Sequence, residues 1–324
     1  MSKKIVVMGG GTGTFPVVSG LKHCSDCEID SVIAVSDSGG STGKIRDEFG
    51  FQPVGDLRQA LAALAESSNE EWIRKILLYR FDKGTGLQGH NLGNLILTAL
   101  QDMTGDTTQS LEIAEKIFRL EGRVIPVTKD NVNLEIKYTN GEVKVGEHVL
   151  DEKQEEKLKI MQVRLVPHAT INPAAKDAIE AADMVIIGPG DYYASLMATL
   201  IPDGIKETFH KSSAKIVYVL NLMTRFTQTL DMSAKDHVAG IEAAIGKPID
   251  VIVINTSEIP QAILDVYAEE KEYPVEDDLA NDPRVVRGEI LSEKLAAVVA
   301  YDTAHRSLLR HDATKIGELL MKLM

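Results

Sequence analysis

Glycine-rich loops that each follow an apolar run are the parts of this 324-residue chain best suited to chemistry. Residues 9–13 read G-G-G-T-G, residues 37–43 read D-S-G-G-S-T-G, and residues 188–190 read G-P-G. Glycine lets a backbone approach a ligand closely, and a helix N-terminus after such a loop offers unpaired N–H groups. The expected ligand is a phosphate or diphosphate. A tight strand-to-helix turn explains one such loop equally well, but three together weaken that explanation.

Several cationic and amide side chains stand close to these loops in sequence. Lys44, Arg46 and Arg58 follow the second loop and bring positive charge toward a bound phosphate. Asn221 ends a further apolar run, and Arg225 follows it as a predicted phosphate contact. The full predicted nucleotide-binding set is Gly10, Gly11, Thr12, Gly13, Lys44, Arg46, His90, Asn91, Gly188, Pro189, Gly190, Asn221, Arg225, Tyr267 and Arg310.

Some members of that set have ordinary structural explanations as well. His90 opens a predicted helix, where it serves either as a base or phosphate donor, or as a capping or core histidine. Tyr267 is a candidate for stacking on a nucleotide base. Arg310, with Arg306 one turn before it, is a candidate phosphate contact, although two arginines at this spacing usually form a solvated helix face.

Asp37 and Asp56 are the two acids that we single out as catalytic candidates. Asp37 follows an apolar run, where a carboxylate acts as a general base or as a magnesium ligand beside a phosphate. The alternative for Asp37 is a loop-capping role. Asp56 forms, with Gln59, the pattern of a capping box at a helix start, and for Asp56 we favour the cap. The sequence predicts no dedicated set of metal ligands.

Two familiar nucleotide-binding fingerprints are incomplete. A dinucleotide-binding loop of the form G-x-G-x-x-G requires a glycine or another small residue at its last position. That position falls on Thr14 when the motif starts at Gly9, and on Pro16 when it starts at Gly11. NAD stays a candidate ligand because Asp37 stands near the place of the ribose-binding acid. The P-loop pattern also fails, since residues 43–45 read G-K-I.

Cys24 and Cys27, spaced C-S-D-C, are the only cysteines of the chain. One explanation is a redox pair or, with His23, half of a metal site. The other is two thiols in a loop between a helix and a strand. We favour the second, because no further cysteine pair exists to complete a four-cysteine zinc site.

Composition restricts the class of protein. A net charge of −13 and a pI near 5.1 argue against a nucleic-acid partner or an anionic membrane surface. The apolar runs are far too short to span a bilayer, so no membrane insertion is expected. The chain begins with a strand-like run and no signal-peptide pattern, which predicts a cytoplasmic protein.

Alternating strand and helix signals must position these loops. The predicted strands are 5–8, 28–35, 183–187, 214–220, 250–254 and 295–300, and the predicted helices include 70–81, 107–120, 172–182, 234–245, 263–270 and 313–323. This alternation is typical of an α/β protein with a doubly wound, mainly parallel, Rossmann-like sheet. We predict one such domain over residues 1–324. Within it, residues 123–166 alternate polar and apolar around an Asn-Gly turn, which predicts a β-rich hairpin insertion.

The motifs together resemble one known family. They are G-G-G-T-G, V-S-D-S-G-G-S-T-G-K-I-R, P-V-G-D-L-R-Q-A-L, G-H-N-L-G-N-L, I-G-P-G-D-Y-Y-A-S-L, N-L-M-T and R-H-D-A-T-K, and they run from residue 9 to residue 315. The family includes 2-phospho-L-lactate transferase and the bacterial gluconeogenesis factor, and the chain looks most like the gluconeogenesis-factor branch. That resemblance implies a cytoplasmic protein tied to cell shape and envelope growth on gluconeogenic carbon sources, which binds UDP-sugars such as UDP-N-acetylglucosamine.

The resemblance leaves a second activity open. The transferase branch joins a phospholactate group, carried on guanosine diphosphate, to a deazaflavin alcohol with magnesium, and its acceptor-pocket acid falls on Asp37. A second acid commonly follows in that branch, whereas this chain has Ser38. The implied diphosphate site comprises residues 10–13, residues 188–190 and Asn221. The ligands to consider are a UDP-sugar, GDP and NAD. Envelope-synthesis proteins are candidate partners, and a homodimer is expected because it is the commonest assembly.

Overall fold

The computed structural model describes residues 2–66, 70–152, 158–295 and 307–324. The strands in those ranges are β1 (Lys3–Gly9), β2 (Cys27–Ile33), β3 (Arg123–Pro126), β4 (Asn133–Tyr138), β5 (Val143–Val145), β6 (Ile160–Val166), β7 (Met184–Ile187), β8 (Lys215–Val219), β9 (Val251–Asn255) and β10 (Val285–Gly288). Seven of these strands form one parallel sheet in the order β10-β9-β8-β7-β1-β2-β3. The predicted doubly wound α/β, Rossmann-like fold is therefore confirmed.

Helices cover both faces of this sheet. They are α1 (Gly11–Leu21), α2 (Gly40–Phe49), α3 (Gly55–Ala63), α4 (Glu70–Leu78), α5 (Leu92–Thr104), α6 (Thr107–Phe118), α7 (Pro173–Glu180), α8 (Ala198–Leu200), α9 (Ile205–Lys211), α10 (Ala234–Ile245), α11 (Gln261–Glu269) and α12 (Ala313–Lys322), with a 3₁₀ helix Glu147–Asp151 and a π-helix Tyr192–Met197. Ile5 and Val7 of β1 pack into the core on one face, and Val6 and Met8 into the core on the other. Burial on both faces explains why the strands read as continuous apolar runs. Across the described ranges, each helix is too short or too polar to cross a membrane.

The order of the sheet reverses at β1. The chain moves from β1 to β2 and β3 on one side, and it returns to build β7, β8 and β9 on the other. In open α/β sheets such a reversal leaves a crevice at the carboxyl ends of the two strands. Here the loops after β1 and β7 border that crevice, which places two of the predicted glycine loops side by side.

The β-rich insertion is smaller than the predicted range of 123–166. Arg123–Pro126 belongs to the central sheet, where it pairs in parallel with β2. Its apolar residues Val124 and Ile125 are buried on opposite faces of that sheet, which the alternating pattern concealed. The insertion itself is the antiparallel sheet β5-β4-β6. Its hairpin is confirmed, since the Tyr138 amide donates to the Glu142 carbonyl at 2.9 Å.

The last predicted strand and the two cysteines differ from the structure in other ways. The strand predicted over 295–300 lies, except for residue 295, outside the described residues. The strand at 285–288 was missed because it is short and only its first two residues are apolar. Cys24 lies in the turn between α1 and β2, as predicted, and Cys27 is the first residue of β2. The two are joined in a disulfide rather than present as two thiols.

Candidate functional site

A cavity of about 530 Å³ opens at the carboxyl edge of the central sheet. Its walls come from the loops after β1, β2, β7 and β8 and from the first turns of α2 and α3. The 3₁₀ helix of the insertion and residues 307–311 complete the enclosure. The cavity therefore occupies the crevice where open α/β proteins bind their ligands.

Many of the predicted site residues meet at this cavity. Both catalytic candidates, Asp37 and Asp56, line it. The predicted nucleotide-binding residues that line it are Thr12, Gly13, Pro189, Gly190, Asn221, Arg225 and Arg310. Gly10, Gly11 and Gly188 lie directly behind this wall, in the same two loops.

Other predicted residues do not line the cavity themselves. Lys44 is exposed on α2, and the Arg46 guanidinium donates to the Val132 carbonyl at 2.8 Å. His90 is half-buried beside Ser41, with 3.3 Å between its Nδ1 and the Ser41 hydroxyl.

Asn91 and Tyr267 have structural contacts of their own. Asn91 caps α5 by accepting a hydrogen bond from the Asn94 amide at 3.2 Å. Tyr267 is 5% exposed, and its hydroxyl contacts the Ser307 hydroxyl at 2.7 Å and the Leu309 amide at 2.9 Å. Arg306 lies outside the described residues. These residues organise the walls rather than the interior of the cavity.

The glycines of the first loop are required by protein packing. A Cβ at Gly13 would lie 2.5 Å from the Cα of Gly190, in the loop after β7. A Cβ at Gly11 would lie 2.6 Å from Gln59 Cβ, and one at Gly10 2.8 Å from Ser195 Cβ. Close approach of three protein segments therefore requires these glycines, in addition to the predicted close approach to a ligand.

The second glycine loop is largely the first turn of a helix. Helix α2 begins at Gly40, and Gly39 is its N-cap. The Gly39 amide donates to Asp37 Oδ1 at 2.8 Å, so the loop-capping role of Asp37 is present together with its place in the cavity wall. Burial raises the pKa of the Asp37 carboxyl above its ordinary value, although hydrogen bonds from Gly39 and Thr42 work in the opposite direction.

Asp56 does not cap its helix, so the predicted capping box is wrong. Helix α3 begins at Gly55 after Val54, and Asp56 is its second residue. A side chain at Gly55 would overlap Asp37 and lie 2.6 Å from the Thr42 hydroxyl, so the helix start is packed against the second loop. The Asp56 carboxylate instead accepts from the Gly11 amide, which ties α3 to the first loop.

The environment of Asp56 favours its protonated form. Burial, followed by the nearby charge of Asp37, raises the pKa of the Asp56 carboxyl to about 7. A carboxyl with such a pKa exchanges a proton readily near neutral pH, which is the property that general acid–base chemistry requires.

Asp56→Asn is expected to stabilise the unliganded protein at pH 8 by about 1–2 kcal/mol, and to change its stability little at pH 4. The pKa of Asp56 is about 7 in the folded protein. It is about 3.9 in an unfolded chain. As the pH rises from about 4 to about 7, the unfolded state releases this proton first, so the wild-type free energy of unfolding falls. Urea unfolding at both pH values measures the difference.

The matched control for this prediction is Asp47→Asn, at an exposed site on α2. Its effect on the free energy of unfolding should be small at both pH values. If the stabilisation by Asp56→Asn does not grow between pH 4 and pH 8, the high pKa of Asp56 is contradicted.

The insertion contributes acids that the sequence reasoning missed. Glu147 lines the cavity from the 3₁₀ helix, and burial together with Asp37 and Asp151 raises the pKa of its carboxyl well above the ordinary value. The adjacent His148 is held by Ser38, whose hydroxyl lies 2.8 Å from His148 Nδ1. No sequence signal joins these residues, because the insertion folds back over loops that lie more than ninety positions earlier.

Arg225 is a buried cation of the cavity wall. It is 8% exposed, and its guanidinium lies 2.8 Å from Asp151, 3.6 Å from Glu272 and 4.0 Å from Asp191. Burial alone would lower the pKa of Arg225, but these three acids raise it above its ordinary value. Burial also raises the pKa of Glu272 to about 7. Asp191 follows the third glycine loop directly, so a sequence signal for it existed.

Arg58 is a second positioned cation. Its Nε donates to Asn94 Oδ1 at 2.7 Å, and Nη1 donates to the Leu77 carbonyl at 3.1 Å. Asn94 in turn donates to the Thr42 hydroxyl at 3.3 Å. The cavity thus combines guanidinium groups with carboxylates. In the parts of the chain that the structure describes, no three His, Cys, Asp or Glu side chains are grouped to hold a metal ion.

Comparisons with known proteins find similar sequences and a similar fold along nearly the whole chain. A family model described as 2-phospho-L-lactate transferase CofD matches residues 5–296. The gluconeogenesis factor of Bacillus subtilis is 35% identical over 328 residues, covering 99% of this chain and 98% of that protein. The gluconeogenesis factor of Halalkalibacterium halodurans is 32% identical over 324 residues, covering 99% and 96%. A crystal structure of a UPF0052-family protein from Bacillus halodurans has a TM-score of 0.88 at 31% identity and covers 99% of both chains.

Proposed function

Because the chain belongs to the 2-phospho-L-lactate transferase CofD family, we propose that it is a nucleotide-sugar-binding regulatory protein of the gluconeogenesis-factor type. The proposed ligand is a UDP-sugar such as UDP-N-acetylglucosamine. The proposed role is to link the supply of this ligand to cell shape and envelope growth on gluconeogenic carbon sources. It would act in the cytoplasm as a homodimer, through contacts with envelope-synthesis proteins.

The observation that carries the proposal is the mixed charge of one cavity. Arg58, Arg225 and Arg310 supply positive charge for a diphosphate. Asp37 and Asp191 supply acceptors for sugar hydroxyl groups. A ligand that is anionic in one part and rich in hydroxyl groups in another suits both kinds of group. A volume of about 530 Å³ is also within the range of small-ligand sites.

Calorimetry with UDP-N-acetylglucosamine, GDP and NAD tests the proposal. We expect UDP-N-acetylglucosamine to bind at one site per chain, and Arg310→Ala to weaken it by about 10–100-fold through loss of a charge-assisted contact. Lys44→Ala is the matched control, since this exposed lysine lies outside the cavity wall and should leave the affinity unchanged. A protein that binds none of the three nucleotides would contradict the proposal.

A transferase is the second candidate, favoured by the two neighbouring acids Asp37 and Asp56. In that case Asp37 accepts the proton of an acceptor hydroxyl, whose oxygen attacks the phosphorus of a phosphate-bearing group on a nucleotide diphosphate carrier. The new P–O bond replaces the bond between that phosphorus and the carrier, and the nucleotide leaves. Mg²⁺ typically uses one or two carboxylates together with substrate phosphates, so these two residues suit it. Incubation with Mg²⁺, the nucleotide and an alcohol acceptor separates the candidates. Release of free nucleotide supports the transferase, and intact ligand after prolonged incubation supports the regulatory protein.

A further inference from the structure

His311 is a buried imidazole in the cavity wall, and its Nε2 lacks a hydrogen-bonding partner among the described residues. It is 6% exposed, and its Nε2 is shielded from solvent and unpaired. The backbone around it is fixed, because the Ser292 amide donates to the Arg310 carbonyl and the Asp312 amide to the Ile290 carbonyl. An immobile, unsatisfied ring nitrogen in a cavity wall calls for a partner that enters the cavity.

The charge state of His311 restricts what that partner can be. Burial lowers the pKa of its imidazole to about 4, so the ring is neutral at physiological pH. A neutral imidazole has one donor and one acceptor nitrogen, and it offers no positive charge to a phosphate. A ligand group that offers both an acceptor and a donor satisfies such a ring more fully than a phosphate, which only accepts hydrogen bonds.

The neighbouring wall is apolar. Leu222, Met223 and Leu309 line the same cavity, and Met223 and Leu309 pack with Tyr267 in one buried cluster. The Tyr267 hydroxyl fixes this wall through its contacts with Ser307 and Leu309. Apolar surface suits the flat faces of a heteroaromatic ring, whereas sugar and phosphate groups are better matched by the acids and guanidinium groups elsewhere in the cavity.

We propose that His311 is a specificity-determining residue that hydrogen-bonds the polar edge of the nucleotide base, while Leu222, Met223 and Leu309 contact the faces of that base. This inference rests on the proposed function and deepens it by assigning one end of the cavity to the base. It also assigns the diphosphate and sugar to the end that holds Arg225 and Asp37.

His311→Phe tests the inference, because phenylalanine keeps the ring shape and removes both nitrogens. UDP-N-acetylglucosamine should bind at least about tenfold more weakly to the variant. N-acetylglucosamine 1-phosphate, which lacks the base, should bind wild type and variant equally. The unliganded variant should unfold at the same temperature as wild type or higher, since an unsatisfied buried group has been removed. A structural role for His311 predicts a lower unfolding temperature instead.

A measurement on the wild-type protein tests the same inference even if His311→Phe fails to fold. In protein with ¹⁵N-labelled histidine, the imidazole nitrogen resonances of His311 are assigned by their absence from His311→Gln. Their chemical shifts should change on addition of UDP-N-acetylglucosamine and should not change on addition of N-acetylglucosamine 1-phosphate. Unchanged UDP-N-acetylglucosamine affinity in His311→Phe, or equal weakening of both ligands, overturns the inference and leaves the proposed function standing. Wild-type protein that binds no nucleotide overturns both.

Discussion

Arg225→Met is expected to lower the free energy of unfolding by about 3–5 kcal/mol and to abolish nucleotide binding. The methionine keeps much of the aliphatic bulk but removes the charge. The Asp151, Glu272 and Asp191 carboxyls, which lie within 4.0 Å of the guanidinium, would then lose their shared cation, and the buried Glu272 would have the least water to replace it. Removing one partner of a buried ion pair is costly because the remaining charge stays shielded from water and has no counter-charge.

Urea unfolding measures the loss of stability, and calorimetry with UDP-N-acetylglucosamine measures the loss of binding. Arg164→Met is the matched control. Arg164 forms a comparable ion pair with Glu135, but its side chain is 65% exposed, so its loss should cost less than about 1 kcal/mol. An Arg225→Met protein that is as stable as this control would contradict the view that Arg225 is structurally essential.

The consequences of this substitution extend to the insertion. Asp151 belongs to the 3₁₀ helix of the insertion, so its contact with Arg225 joins that helix to the segment after β8. The Thr227 hydroxyl donates to the Leu150 carbonyl beside it. On the opposite side, Ser38 holds His148. The insertion is therefore attached to both sides of the crevice, and Arg225 stabilises both the insertion and the interior of the cavity.

The sequence predicted the fold well because the fold rests on local signals. The apolar run of β1 and the glycines that follow it identify a strand buried on both faces and a loop at its end. Asn172 and Pro173 identify the start of α7, where Asn172 caps and Pro173 occupies the first turn. The exceptions are β3, whose place in the central sheet depends on pairing with β2 rather than on its own residues, and the short strand β10, which pairs with β9.

The candidate site was predicted less completely, because side chains that are close in sequence need not point toward the same cavity. Gly40 begins α2, so Arg46 lies about 9 Å further along the helix axis, away from the cavity. Lys44 projects to solvent from the same helix. Glu147 and Asp151 were missed for the opposite reason, since they reach the cavity only through the folding of the insertion.

Gly13→Ala is expected to destabilise the protein by about 3 kcal/mol and to prevent nucleotide binding. This expected loss of stability is opposite in sign to the effect of helix propensity alone. Gly13 lies within α1, where alanine is normally favoured over glycine by about 1 kcal/mol. The new Cβ would overlap the Pro189 carbonyl and lie 2.5 Å from Gly190 Cα, both in the backbone of the loop after β7. That loop cannot withdraw easily, because β7 is paired on both sides with β1 and β8.

Urea unfolding measures the loss of stability in Gly13→Ala, and calorimetry with UDP-N-acetylglucosamine measures the loss of binding. Gly39→Ala is the matched control for stability. Gly39 lies in the second loop with φ −93°, and a Cβ there would meet only Asp37 Oδ1 at 3.5 Å, an ordinary contact. Its replacement should cost less than about 1 kcal/mol. If Gly13→Ala is instead as stable as Gly39→Ala, the two loops can separate freely. The first glycine loop would then be free to meet a ligand directly, as its sequence first indicated, and its packing against the loop after β7 would not explain its glycines.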